Sequence, residues 1–590
     1  MPFRRFQASP APPDHCLLRR PDCTARSLSI YAVGKCAYCS AIVGDKLGRA
    51  AVGLWNLFLG AAVVVILLGA LPEYLEAQQE SPVVTQASRQ AQVGILDAAQ
   101  AALANYPLLR VQQAQIKLDR GLTLQASSAF DSSIQATITP SRVVTPLTQI
   151  EQQLNGVTDA AEITDETQVA IGLSKLLRSG ITLSPSISLM RDVDNVAAPN
   201  GTNDATPAVQ LIIPLLRRRG REIVTAPENA ARMEERAATL DLTQQIAQLL
   251  DSLATDYWNL VAAQKLLRIA QDAEKRATTD LDDTRALVGA DQLPRENLHM
   301  AGANLEQTAS NRLAAEQSLS AAQYQLALDM GLSPKEITVV PLLATDDFPP
   351  VSGQPLPIIN AESLQREVQS ALLLRPDYLA VRKRIDEQQL QVQVARNSLL
   401  PQVNVTLNAG YTGLSEGRQG YKIFSAAGED VQGVNASAEF SYTFPPKNDQ
   451  ARGVFLQEHA LQTQLEMQEE QLRNEICVTV ATQAQAVQHA AEEAQRAERA
   501  VDLYRASLEG QREKYHLGIA SIVDVLTVEA SLTAAETTKV QADLAFAQAV
   551  AQFRYATGTL VVPGQMKQTL SQQLFFKLPA LAGSVPPRLP

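Results

Sequence analysis

The sequence predicts an α+β membrane protein: long coiled-coil helices continue into membrane-spanning amphipathic strands, and the whole unit occurs twice. Three observations predict this. Glu228 to Val288 contains neither Gly nor Pro, and at ~1.5 Å per residue it makes roughly 90 Å of helix. After Leu400-Pro401 the period changes at once: Val403, Val405, Leu407, Ala409 and Tyr411 alternate with Gln402, Asn404, Thr406 and Asn408. That run is about as long as one tilted strand crossing a bilayer. Finally, Pro and Gly landmarks recur in the same order along the two halves.

Composition fits this reading. Phe, Trp and Tyr make up only 5% of the 590 residues, which suits long Ala/Gln-rich helices better than compact α/β cores. The net charge of −11 offers nothing to attract phosphate and argues against a nucleic-acid partner. Residues 1–77 read as a leader. Ala50 to Leu71 carries no charge, Lys46 and Arg49 precede it, and Glu73 and Glu76 follow. This is a transmembrane helix or a signal core, and the charge order favours export of all that follows. Cleavage near Ala77 is favoured over retention. Cys16, Cys23, Cys36 and Cys39 lie upstream in spacings that fit no standard zinc module. Beyond the leader only Cys477 remains, so the mature chain forms no intrachain disulfide.

The first repeat, 78–332, begins its helical part at Tyr106-Pro107, and the second, 362–565, at Arg375-Pro376, 269 positions later. At that offset Ile134, Ala136 and Ile138 in copy one meet the strand after Pro401. Pro214 followed by Gly220 resembles Pro445-Pro446 followed by Gly453, and Leu287-Val288-Gly289 resembles His516-Leu517-Gly518. In each copy an unbroken long helix equals in length two shorter ones placed end to end, so one lies antiparallel beside the other two. Leu242, Ile246, Leu249 and Leu253 form the 3–4 stripe of such packing rather than a cofactor site. Residues 333–361, rich in Pro, link the copies as an equatorial segment, and 566–590 form a tail. A second alternating run, Val434 to Phe444, completes copy two. Copy one has extra residues: Val169, Ile171 and Leu173, a Ser179-Gly180 turn, then Ile181 and Leu183. They read as an additional hairpin, expected to extend outward on the extracellular side rather than to join the barrel.

These features resemble the TolC family of outer membrane efflux proteins. The resemblance rests on Arg375-Pro376-Asp377, the Leu400-Pro401 switch, the return at Pro445–Gly453, and Tyr515-x-x-Gly518 with Ile522-Val523-Asp524-Val525-Leu526. It covers about residues 95–565. It implies a homotrimer in the outer membrane of a Gram-negative-type cell. A 12-stranded barrel, four strands per protomer, would stand in outer-membrane lipid above an α-helical barrel crossing the periplasm. It also implies docking to a periplasmic adaptor and an inner-membrane transporter, with no enzymatic activity and no cofactor. The hairpin tips Val288-Gly289-Ala290 and Leu517-Gly518-Ile519 would meet the adaptor, Gly supplying φ > 0 for a tight reversal. Asp524 and Arg295, each six residues past a tip glycine, would form with Tyr515 a periplasmic gate, with Asp524 as an acidic ring.

His299, His459, His489 and His516 lie singly, so no metal site is assigned, and no phosphate loop or nucleophile elbow is visible. An adaptor would have one helical hairpin flanked by soluble β-domains, and a coiled-coil spacer would have no use for alternating strands. A half-buried sandwich strand explains either run alone, but not its place between very long helices behind an export signal.

Overall fold

The computed structural model describes residues 91–579 apart from 340, 355, 358, 359, 418, 421, 422, 424, 425, 429, 430, 566 and 567. The leader and its cysteines therefore lie outside the described residues. The chain runs β1 (Ala91–Val93), α1 (Ile95–Asn105), α2 (Pro107–Ser127), β2 (Ser132–Pro146), β3 (Ala161–Leu176), β4 (Thr182–Asp194), β5 (Thr202–Pro214), α3 (Ala226–Gly289) and α4 (Glu296–Asp329). It continues β6 (Leu342–Ala344), α5 (Ala361–Leu374), α6 (Pro376–Ser398), β7 (Gln402–Glu416), β8 (Val431–Thr443), α7 (Asp449–His516) and α8 (Ile522–Ala556). No helix among the described residues is long and apolar enough to cross a membrane.

Prolines set the helix joints. Tyr106 and Arg375 are extended, with ψ of 120° at each, and the next residue is a proline in the first helical turn, the position where its missing N–H costs nothing. Against each joint lies a glycine from the far end of the same half. Gly331 (φ +68°) has its Cβ position 2.9 Å from the Asn105 carbonyl carbon and the Tyr106 nitrogen, and Gly558 (φ +69°) repeats this against Leu374 and Arg375. Any side chain would meet backbone there, in a left-handed conformation that disfavours it. α3 is flanked by α2 and α4 on one side and by α6 and α8 on the other, and α7 packs against α6 and α8. Each chain thus presents four helical columns: α2 with α4, α3, α6 with α8, and α7.

At mid-length the columns are tied by a belt. β1 pairs parallel with β6, and Trp258 of α3 is fully buried among Tyr257, Phe348 and Phe576, with ring centroids 5.3–6.0 Å apart. Burying each such aromatic contributes about 1.5–3 kcal/mol. Asp346 accepts the Ile95 N–H at 2.8 Å, lies 2.8 Å from the Tyr257 hydroxyl and accepts from Gln572 at 3.1 Å. One carboxylate therefore links the start of α1, the middle of α3 and the C-terminal segment.

The sheet corrects two expectations. It has six strands per chain, in the order β2-β3-β4-β5-β7-β8, not four. The extra hairpin is β3–β4, and it joins the sheet rather than extending outward. β2 pairs with β3 from Ser132↔Lys175 to Pro146↔Ala161, and β4 pairs with β5 from Thr182↔Ile212 to Asp192↔Thr202. Its turn sits at the helix end of the sheet. Gly180 (φ +93°) is so close to Arg218 that a Cβ would fall 2.5 Å from that carbonyl oxygen. Arg178 stacks on Phe130 at 4.8 Å and ion-pairs with buried Glu228 at 3.0 Å. Alternation on β3 and β4 is the same for a protruding hairpin and for barrel strands, and pairing with β2 and β5 decides between them.

Replacing Gly558 by Ala should lower stability by about 1–3 kcal/mol, through strain and backbone contact. Gly453→Ala, inside α7 with nothing within 4 Å of its Cβ position, should be neutral or stabilising. Thermal melts of the detergent-solubilised protein distinguish the two.

Candidate membrane sheet, docking tips and periplasmic gate

The registers sort the sheet's side chains by chemistry. One face carries Ile138, Val169, Ile171, Ile187, Val209, Leu211, Leu407 and Phe440, row after row across all six strands. The other carries Ser133, Gln135, Ser174, Ser184, Gln210, Asn408 and Ser437, and it holds a concave hollow. Polar pairs bridge strands there, as in Asn408–Ser437 at 3.1 Å and Thr206–Thr412 at 3.1 Å. The apolar residues at the edges are bare in a single chain: Ile134 is 76% exposed and Val434 81%. An apolar outside and a polar, hollow inside is the arrangement of a lipid-facing barrel wall around water.

At the opposite end the two helix reversals differ. Just past the end of α7, Gly518 has φ +72°, and the Ile519 N–H reaches back to the Lys514 carbonyl at 2.9 Å, so glycine is favoured by conformation. At the first tip the left-handed residue is Asp291 (φ 56°), not Gly289, which continues the helix. The expectation that Gly289 supplies φ > 0 is therefore corrected. Neither glycine has an atom within 4 Å of its Cβ position. Leu517 and Ile519 are 67% and 74% exposed, while Val288 is half-buried and Ala290 exposed.

Of the three residues expected at the gate, Asp524 caps a helix. It accepts the Ser521 N–H at 2.9 Å and the Ser521 hydroxyl at 2.7 Å, and the hydroxyl's hydrogen bond, then the backbone's, holds its carboxyl below the usual range. Arg295 is exposed just before α4, and among the described residues no ion pair joins it to Asp524 within one chain. Tyr515 is different. Its hydroxyl is buried without a hydrogen-bond partner, near Thr284, whose own hydroxyl donates to the Asp280 carbonyl at 2.6 Å.

Around Tyr515 lies a charged cluster that the sequence reading missed. Arg512 of α7 donates through Nε to Glu529 of α8 at 3.0 Å and also engages it through Nη2. The same Nη2 lies 3.6 Å from Asp280 of α3, and both acidic side chains are over 90% buried. Burial first, and the neighbouring Glu529 carboxyl second, push Asp280 up to about 7. One guanidinium thus ties three helices just above the tips. The signal was available: Ile522, Val525, Glu529 and Leu532 form one buried stripe of α8, and an acid in an apolar stripe needs a partner.

Comparison with known proteins now has this geometry to meet. Residues 368–559 match the family model of the outer membrane efflux protein. Over those residues the chain is similar to the outer membrane efflux protein family. No curated protein matches this chain by sequence. Its fold is similar to that of the outer-membrane channel OprN (TM-score 0.56, 17% identity, covering 83% of this chain and 98% of that one). It is likewise similar to the CmeC outer membrane channel of Campylobacter jejuni (TM-score 0.55, 13% identity, 82% and 94%). The MtrE outer membrane channel of Neisseria gonorrhoeae in its open state is a third match (TM-score 0.54, 15% identity, 83% and 98%). These likenesses place the helices and the sheet of this chain in one known architecture.

Linkage gives the Arg512 cluster a pH dependence. Asp280 titrates near 3.8 when exposed and near 7 when packed. The packed end therefore holds an extra proton between those values, and its stability falls as pH rises through that window. Hydrogen-exchange protection of residues 276–290, corrected for intrinsic rates, should be higher at about pH 5 than at about pH 8. Asp280→Asn should flatten this difference.

Proposed function

We propose that the chain is the outer-membrane exit duct of a tripartite efflux or secretion system, conducting substrate passively from the periplasmic side to the exterior. The observation that carries this is the amphipathic six-stranded sheet with two open edges, built directly onto helical columns about 100 Å long, since α7 alone has 68 residues. Lipid tolerates no unpaired strand edge, so the barrel closes only between copies. The family resemblance supports three. Residues 78–332 and 362–565 then act as two copies of one supersecondary unit joined by 333–361, with 566–590 as a tail, and Gly331 and Gly558 take equivalent places in them. Selection of cargo lies with the inner-membrane transporter.

The helical tips Val288-Gly289-Ala290 and Leu517-Gly518-Ile519 receive a periplasmic adaptor. Exposed Leu517 and Ile519 supply apolar contact, and the open space over both glycines admits a partner backbone. Asp524, ionised and exposed, recurs three times around the mouth and favours cations. Arg295 of a neighbouring hairpin neutralises part of that charge in exposed pairs worth about 0.2–1 kcal/mol each.

Two measurements test this. Replacing Gly289 and Gly518 by bulky residues should leave the detergent-extracted trimer intact and abolish crosslinking to the adaptor and efflux. Unchanged crosslinking reduces the tips to turns, and a protein soluble without detergent after removal of residues 1–77 refutes the channel. In planar bilayers Asp524→Asn should lower cation selectivity while Arg295→Ala raises resting conductance. An Asp524→Asn channel with unaltered selectivity removes Asp524 from the gate.

A further inference from the structure

We infer that the assembled barrel has 18 strands, about 1.5 times the circumference of a twelve-stranded one, so that the outer barrel is as wide as the helical tube beneath it. This rests on the trimeric channel reading and departs from four strands per protomer. The added pair, β3–β4, is integral to the wall. It is inserted between β2 and β5 in continuous antiparallel register. Its apolar residues Val169, Ile171 and Ile187 continue the outer face of the other strands, and its serines Ser174, Ser184 and Ser186 continue the inner hollow. Its turn is locked at the strand–helix junction by Gly180 against Arg218 and by Arg178 on Phe130 and Glu228.

The two free edges suit each other. β2 leads away from the helices and β8 returns to them, with 15 and 13 residues, so β8 of one copy pairs antiparallel with β2 of the next. An even number of strands per chain keeps the whole ring antiparallel. Neither edge pairs on its outer side among the described residues.

Widths agree with this closure. Four helical columns at 8–10 Å spacing span roughly 32–40 Å of wall per chain. Six strands 4.8 Å apart and tilted by ~40° span about 38 Å, whereas four would span about 25 Å. With six, sheet and helices meet without a taper. The cross-section inside the membrane is then about 2.25 times that of a twelve-stranded barrel at the same tilt, as the square of the circumference ratio. The barrel wall itself therefore does not narrow the path below the width of the helical tube.

Particle images of the full-length protein in detergent, viewed down the barrel axis, give the number of copies and the number of strands separately. Three copies with 18 strands are expected. Three copies with twelve strands overturn the wide barrel and leave the trimer standing. Two copies closing twelve strands overturn both. As a second measurement, polymers of graded size are added on the extracellular side of the reconstituted channel, and the largest that enters is recorded for the natural protein and for a deletion of residues 161–194. The limiting diameter should fall by about a third in the deletion variant, in proportion to its strand count. Equal limits in the two refute the inference. In a Cys477→Ser chain, cysteines at Ser133 or Thr137 on β2 together with Ser437 or Ser441 on β8 should give covalent trimers on oxidation. Only monomers across all four combinations would overturn the edge pairing.

Discussion

Unpaired backbone at the edges of a sheet is the constraint on which this molecule depends. In lipid every N–H and C=O must find a partner within protein, and a curved sheet that stops leaves two rows without one. β2 and β8 are those rows, and both are exposed on both faces. A single chain of this sequence is therefore unfinished. Its apolar outer face, polar inner face and even strand number are all consistent with completion by copies of itself. The helices inherit the same requirement, because each column that enters from below is fixed to a strand that must sit in a ring.

The middle of the chain resists the demands made at its two ends. Asp346 and Tyr257 connect the belt to α1 and α3, and within the aromatic cluster the Tyr257 hydroxyl is hydrogen-bonded while the Trp258 indole nitrogen has no hydrogen-bond partner. The ends are less apolar. Near the tips the packing is mixed, with Ala273 and Ala277 beside Asp280 and Val501, Leu508, Val525 and Leu532 in one cluster, and a charged triad sits among them. Such a triad is strong while complete and weak once a partner is lost, since a buried charge left alone is costly. A tight middle and a conditional end follow from residue choice along the same helices.

Much of this was legible in the residues. Helix lengths were readable because Gly and Pro are absent from the long runs, and the change of period after Pro401 marked the passage from helix to strand. Tyr515 stood out through its motif. What the sequence could not supply was pairing. Val169, Ile171 and Leu173 alternate identically inside a barrel wall and outside it, and only their register with Ile138, Ala136 and Ile134 tells which. Position within a turn was hidden too: Gly289 drew the eye, yet the chain reverses at Asp291. Arg512, Glu529 and Asp280 are far apart in sequence, and only coiling brings three separate helices to one guanidinium.

The prolines and glycines of the joints have a mechanical consequence. Each chain alternates two unbroken rods, α3 and α7, with two jointed ones, α2 over α4 and α6 over α8. At each joint the backbone is not continuous: Gly331 abuts Tyr106 and Gly558 abuts Arg375 without a covalent link along the column. A tube assembled from such staves is stiff above the belt, where sheet and helices share their strain. Below it, α4 and α8 meet the upper helices only through a glycine contact and are held to the rods beside them by side-chain ties such as Arg312–Glu274 and Arg512–Glu529. Strain at the far end of a jointed column therefore reaches the sheet through a glycine contact rather than along one continuous helix.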